Sequence, residues 1–286
     1  DPKSGHFDTL LNSKKGFLNT NFWLARYVLY FLMWTYFATR LARLSYLQDQ
    51  TGDKWLTAKA RRISSYGLLL FALTCAFAAF DWLMSLDHHW YSTMFGVWYF
   101  AATAKACIAL IIVILTTMVL KGKLGPAYTK EHLHDSGKLL FAFTVFWAYI
   151  SFCQYFLIWY SNIPEETAFY NLRVREAWQP FPMIMIIANF VVPFLLLLIR
   201  DMKRNPFVLR LIALWVLGAF TLDLYFIVRP ILKDIEPGRD VWLDVLGMLG
   251  PVCIFLAVVV RTVCRHPLVP IKDPRLHEVL AHKNYV

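Results

Sequence analysis

Long apolar runs separated by short polar stretches set the pattern of this chain. Seven runs are long enough to cross a hydrocarbon core as helices, which takes about 20 mostly apolar residues. They are Phe22–Leu47, Ile63–Leu86, Ser92–Leu120, Lys138–Ser161, Pro180–Arg200, Phe207–Leu232 and Val241–Val263. The polar stretches between them are short, so neighbouring spans are expected to pack as antiparallel hairpins. The pattern predicts an all-α integral membrane protein with seven transmembrane helices visible. It divides into a lead-in segment (1–21), a transmembrane helical domain (22–263) and a C-terminal tail (264–286).

Composition agrees with the pattern. Of the 286 residues, 58% are hydrophobic and 17% aromatic, where a soluble domain is nearer half apolar. A net charge of +10 would suggest nucleic acid in another chain. Here the basic residues fall in short loops, where they read as topology signals. One side carries Arg40, Arg43, Lys54, Lys59, Arg61 and Arg62, then Lys121 to Lys138, Arg200 to Arg210, and Arg261 to Lys283. The other side carries fewer: Lys3, Lys14, Lys15, Arg26, Arg173, Arg175, Arg229, Lys233 and Arg239. Loops rich in Lys and Arg stay in the cytoplasm, so the C-terminus is expected there and the lead-in on the outer, periplasmic side. The polar start at Asp1 shows no signal-peptide pattern, so the sequence is expected to begin inside a longer protein.

The chemistry-bearing residues narrow the function. Cys75, Cys107, Cys153, Cys253 and Cys264 lie in or at the ends of apolar runs, without a CxxC pair. That argues against zinc, iron–sulfur and attached c-type haem. All eight histidines lie in loops, tails or interfaces, so no span offers an axial ligand for an intramembrane haem. The expectation is that this chain binds no metal and no covalent cofactor.

Ionisable groups inside a membrane are costly and need a reason. Counting inward at 1.5 Å per residue places Asp81 about 8 Å deep, Asp223 about 13 Å and Lys105 about 20 Å. Their stepped depth suits an outward-opening proton half-channel, since a buried carboxylate gains a proton and a buried lysine loses one. The same residues would also serve as polar contacts that fix helix packing. Asp81 and Lys105 are too far apart to pair, which leaves Asp223–Lys105 as the more plausible pair.

The corner FDWLMSLDHHWYSTMFG (80–96) joins the second and third runs. Asp87, His88, His89, Trp90 and Tyr91 form there either a site for a flat, partly polar ring such as a quinol head or an interfacial aromatic belt. Histidine and aspartate are suitable bases for quinol oxidation; an aromatic belt is the plain membrane-interface alternative. In the loop NIPEETAFYNLR, Pro164 followed by Glu165 and Glu166 reads as a helix start. Glu165, Glu166 and Arg173 suit docking of a partner protein.

Three stretches together carry a resemblance. FDWLMSLDHHWYSTMFG (80–96), QYFLIWYSNIPEET (154–167) and PLVPIKDPRLHEVLAHKNY (267–285) resemble the membrane subunits of bacterial alternative complex III, a quinol:cytochrome c oxidoreductase. Those subunits are similar to the NrfD/polysulfide-reductase membrane family. The tail and the lack of intramembrane histidine favour the F-type, the second quinone-binding subunit, over the C-type. The resemblance implies a ten-helix subunit built largely from two four-helix bundles, with N-terminal spans beyond this sequence. It implies menaquinol or another quinol as substrate of the complex, bound lipid, and the bacterial inner membrane as the location. It also implies partners: an NrfD-like membrane subunit, periplasmic iron–sulfur and c-type haem subunits, and a cytochrome c or terminal oxidase as acceptor, with no nucleic acid. The alternative of a different class is a secondary transporter. Such proteins often break corresponding spans of two repeats with Gly or Pro; only Pro193 and Pro251 interrupt spans here, and no internal repeat is clear.

Overall fold

The computed structural model describes residues 9–175, 178–231 and 241–284. All regular elements among them are helical. The long helices are α1 (Thr20–Thr51), α2 (Lys54–Trp82), α3 (Phe95–Leu120) and α4 (Lys130–Ser161). A short α5 (Pro164–Arg173) precedes the interrupted α6 (Phe181–Leu198), and a five-residue α7 (Arg200–Arg204) precedes α8 (Pro206–Val228). Then come α9 (Val241–Arg265) and a short α10 (Leu276–Leu280). Lys3, His6, Leu232, Lys233 and Arg239, which entered the sequence reading, lie outside the described residues.

Six helices are long and apolar enough to cross a membrane: Lys54–Leu86, Phe95–Leu120, Lys130–Ser161, Phe181–Leu198, Pro206–Ile231 and Val241–Arg265. The chain is thus built as a multi-pass membrane protein. α1 corresponds to the first of the seven expected spans and runs for 32 residues, yet it is not among the six. Arg26 and its tyrosines and tryptophans hold its mean hydropathy down.

Local chemistry sets the helix ends. The Asn19 side chain accepts from the Phe22 N–H at 2.8 Å and starts α1. Gly52, at φ 73° in the left-handed region, ends it. Asp53 then caps α2, accepting from the Trp55 N–H at 2.9 Å, so two residues suffice to reverse the chain. α4 begins at Lys130 rather than at Lys138. His132 and Thr129 form a capping box, with the His132 ring accepting from the Thr129 N–H at 3.1 Å.

The burial pattern is that of a protein in lipid. Large apolar side chains face outward, Leu68 at 67% and Tyr160 at 77% exposure, a surface that in water would aggregate. Charged and amide side chains lie inside, among them Arg26, Asp81, Lys105, Arg173, Asn189 and Asp223. α3 is the central helix, packed against α2, α4 and α8. Ala101, Ala102, Ala106 and Ala109 line its buried face, and small residues let helix backbones approach closely in a membrane.

Candidate functional site

A deeply buried polar group of the bundle is built on α3, α4, α6 and α8. Lys105 stands one turn from Ala101 and one turn from Ala109, all three fully enclosed. The alanine stripe that brings the helices together therefore aims the lysine into protein rather than into lipid. Its ammonium donates to the Asn189 side-chain Oδ1 at 2.7 Å and lies 3.4 Å from the Asn189 backbone carbonyl. It also sits 4.2 Å above the centre of the Trp147 ring, within the range of a cation–π contact. The Trp147 indole N–H in turn donates to Asp223 Oδ2 at 3.2 Å.

α6 supplies the asparagine by breaking its own regularity. Residues Ile187–Val191 form one π turn, with the Val192 N–H bonding to the Ile187 carbonyl. Pro193 follows directly and has no N–H to give. Neither the Asn189 carbonyl, four residues back, nor the Ala188 carbonyl, five back, can bond to it. Side chains from neighbouring helices take over: Lys105 approaches the Asn189 carbonyl, and the Trp215 indole donates to the Ala188 carbonyl at 2.9 Å. The Asn189 amide itself donates to the Ala219 carbonyl of α8 at 3.3 Å. Wide turns of this kind inside helices are frequent at functional sites.

The expected Lys105–Asp223 pair is close but indirect, because Trp147 stands between the two. Asp223 is only 2% exposed, and its Oδ1 has no hydrogen-bond partner among the described residues. A buried carboxylate oxygen without a donor is expensive. Among the described residues, a buried cation, an amide and an incompletely bonded carboxyl meet here in the bundle core.

Asp81 belongs to a different network. Arg26 reaches across from α1 with two hydrogen bonds, Nε to Oδ2 at 2.8 Å and Nη2 to Oδ1 at 2.7 Å. The Tyr30 hydroxyl donates to Oδ2 at 2.8 Å, so the carboxylate is fully engaged. Arg26 is also stacked on the rings of Phe17 and Phe22 and donates to the Phe17 carbonyl at 3.1 Å. The sequence reading counted Arg26 only as an outer-side cation. The depth argument applied to Asp81 would have found it: Arg26 lies four residues inside its run and Asp81 five inside the next, a match to within about 2 Å. The structure does not bring Asp81 together with Lys105 and Asp223.

The corner at 80–96 is packed rather than open. Trp90 is 3% exposed, stacked on Phe169 with ring centres 4.2 Å apart, and donates to the Glu166 carbonyl at 3.0 Å. It ties the corner to α5 and is closed to a quinol ring. Tyr91 is exposed, with the Lys14 ammonium 5.2 Å from its ring centre. Lys14 also donates to the His88 carbonyl at 2.7 Å. The His88 and His89 rings lie side by side, 4.1 Å between centres, and the Asp87 side chain accepts from the His89 N–H at 3.2 Å. Glu165 is exposed and Glu166 half-buried in the first turn of α5.

Arg173 corrects the expectation of a docking residue, because it is completely buried. It donates to the carbonyls of Phe226 at 3.0 Å, Ile227 at 2.5 Å and Phe169 at 2.8 Å, and lies 3.4 Å from the centre of the Phe169 ring. Phe226 and Ile227 end α8, where free carbonyls and the helix dipole favour a cation. Burial pushes the guanidinium below its ordinary value, but an arginine keeps its charge. Its work is to clamp α5 onto the end of α8.

Among the described residues, no group of three or more His, Cys, Asp or Glu is placed to hold a metal ion. No protein-family model matches the chain, and no curated protein matches it either.

Proposed function

We propose that this chain is a membrane subunit of a quinol-oxidising respiratory complex of the alternative complex III type, and that its bundle core handles protons. The observation that carries the proposal is the enclosed Lys105–Asn189–Trp147–Asp223 group, with one carboxyl oxygen left without a donor. A carboxyl and an amine joined by polar side chains in low dielectric can exchange protons, and quinol oxidation must dispose of them. The three sequence stretches that resemble the complex supply the identity of the reaction. On this reading α1 is a seventh crossing, and the Lys- and Arg-rich end faces the cytoplasm of a bacterial inner membrane. Electron-carrying subunits dock on the opposite face, near Glu165 and Glu166. Asp81 drops out of the path, since Arg26 already holds its charge. A quinol site of this chain would lie elsewhere than against Trp90.

The test is proton-coupled quinol oxidation by the intact complex in proteoliposomes. Asp223→Asn and Lys105→Met are each expected to lower coupled turnover by about a hundredfold, within the usual contribution of a positioned proton-transfer group. Full coupled turnover in both variants would sink the proposal.

A secondary transporter is the second reading, and one observation favours it. α6 is interrupted at membrane depth by a π turn and Pro193, with backbone carbonyls turned toward a cation, as in the discontinuous helices of transporters. Substrate-dependent flux through the isolated chain in vesicles would distinguish it.

A further inference from the structure

The basic end of the bundle contains a cation that the described residues leave without an anion. α7 packs against the first turns of α4. Its Lys203 crosses α4 at the position that lacks a side chain: a Cβ on Gly137 would lie 2.7 Å from Lys203 Cγ and 2.9 Å from Lys203 Cβ. The aliphatic stem sinks into that notch, and the residue is only 8% exposed. Its ammonium ends 5.9 Å from the centre of the Phe141 ring, and among the described residues no carboxylate or hydrogen-bond acceptor meets it.

The acids nearby are engaged already. Glu131 is paired with Arg204. Asp135 is held by Lys138 at 2.7 Å and by His282 at 2.6 Å. Asp201 is exposed to solvent. On the next turn of α4, the His134 Nδ1 is buried without a partner among the described residues. His134 lies within Coulombic reach of Lys138, Lys203 and Arg200. Burial first, and then the charge of Lys138, hold the Lys203 ammonium below its ordinary value. The stem is buried while the ammonium still reaches solvent, so the charge is presented at the mouth of the notch, open to an anion from outside. The corner stands where α4 begins and the apolar α6 stops, and basic notches between membrane helices take anionic headgroups.

We infer that the corner between α4 and α7, formed by Lys203, Arg200 and His134, binds a phosphate-bearing anion, which a bilayer presents as the headgroup of an anionic lipid. The phosphate oxygens accept from the ammonium, the guanidinium and the imidazole, and the acyl chains lie along the outer face of α4 beyond Phe141.

The experiment measures thermal unfolding of the delipidated full chain in detergent, titrated separately with phosphatidylglycerol, phosphatidylcholine and inorganic phosphate. A ligand that binds only the folded state raises Tm. Phosphatidylglycerol is expected to raise it and phosphatidylcholine is not. Lys203→Met keeps the stem in the Gly137 notch and removes the charge. It is expected to raise the half-saturating phosphatidylglycerol concentration about fivefold, the worth of one basic residue at a lipid surface. Lys123→Met, on the exposed turn after α3, should respond as the wild type does. If Lys203→Met folds poorly, Arg200→Gln tests the same corner from an exposed position and should weaken the response in the same direction. Inorganic phosphate acting as strongly as phosphatidylglycerol, and depending on Lys203, would support the site with free phosphate as the occupant. An equal response from Lys203→Met and wild type, or no response of the wild type to either anion, overturns the inference.

Discussion

Asp81 and Asp223 are the same side chain, each 2% exposed, and their surroundings give them opposite roles. Asp81 receives two bonds from Arg26 and one from Tyr30. Removing one member of such a buried pair strands the other charge, which costs about 3–5 kcal/mol, whereas replacing both by apolar residues is often neutral. Arg26→Leu is therefore expected to lower the thermal midpoint in detergent strongly, and Arg26→Leu with Asp81→Leu to recover most of the loss. A double variant as unstable as the single one would show that the pair contributes more than mutual neutralisation. Asp223 has one oxygen bonded to Trp147 and one without a donor. Asp223→Asn keeps the Trp147 bond through its amide oxygen, so its unfolding free energy is expected to stay within about 1 kcal/mol of the wild type. Comparing the two unfolding curves separates the structural aspartate from the one available for chemistry. From the sequence both read as steps of one path, with Lys105 the expected partner of Asp223 and no partner named for Asp81, since depth was legible and the facing side chains were not. Depth follows from position along one helix. Partnership depends on which helix faces share an interface, and that is fixed only when the bundle packs.

Individual helices were legible to the extent that hydropathy reports them. Hydropathy marks where a helix meets lipid, not where the helix starts. It therefore placed the start of α4 at Lys138, although Thr129 and His132 cap it eight residues earlier. It also passed over the π turn of α6, because the turn changes hydrogen bonding and leaves polarity unchanged. The pair Asn189 and Pro193, four residues apart inside an apolar run, was the available sign of a freed carbonyl beside an amide. Restoring the N–H tests its meaning. Pro193→Ala is expected to let α6 close into a regular helix, which raises amide protection around residues 188–194 in hydrogen exchange and rotates Asn189 away from Lys105. Unchanged protection there would mean that packing against α8 holds the π turn, not the proline. Close helix approach offers a second test. A Cβ on Gly96 of α3 would fall 2.8 Å from the Ala76 Cβ of α2. Gly96→Val must push the two helices apart, and overpacking of this kind costs about 1–3 kcal/mol. The loss should appear as a lower thermal midpoint with the secondary structure intact.

At the scale of the whole molecule, the two ends of the bundle differ in how they are closed. At one end the lead-in folds back, with Lys14 on the His88 carbonyl, and α5 is clamped to α8 by Arg173. At the other end the C-terminal tail crosses the helix ends. The Lys272 ammonium donates to the Gln50 carbonyl at 2.6 Å and His282 meets Asp135. This tail also walls a cavity of about 510 Å³ together with Thr57, Leu115 and Tyr128. The two sets of contacts place Lys14, His88 and Arg173 at one end and Asp49, Lys123 and Asp135 at the other. Whether α1 crosses decides which surfaces these become. At 32 residues and 1.5 Å per residue it is about 48 Å long, more than the ~30 Å hydrocarbon core. Arg26, its main obstacle to crossing, is neutralised within the bundle. The crossing is tested with single cysteines introduced in a background whose five native cysteines are replaced by serine or alanine, using a membrane-impermeant thiol reagent on oriented vesicles. Lys15→Cys and His89→Cys are expected to label from one side, and Lys123→Cys and Lys272→Cys from the other. If Lys15→Cys labels together with Lys272→Cys, then α1 does not cross, the chain has six spans rather than seven, and the Arg26–Asp81 pair must lie at a membrane surface instead of within it.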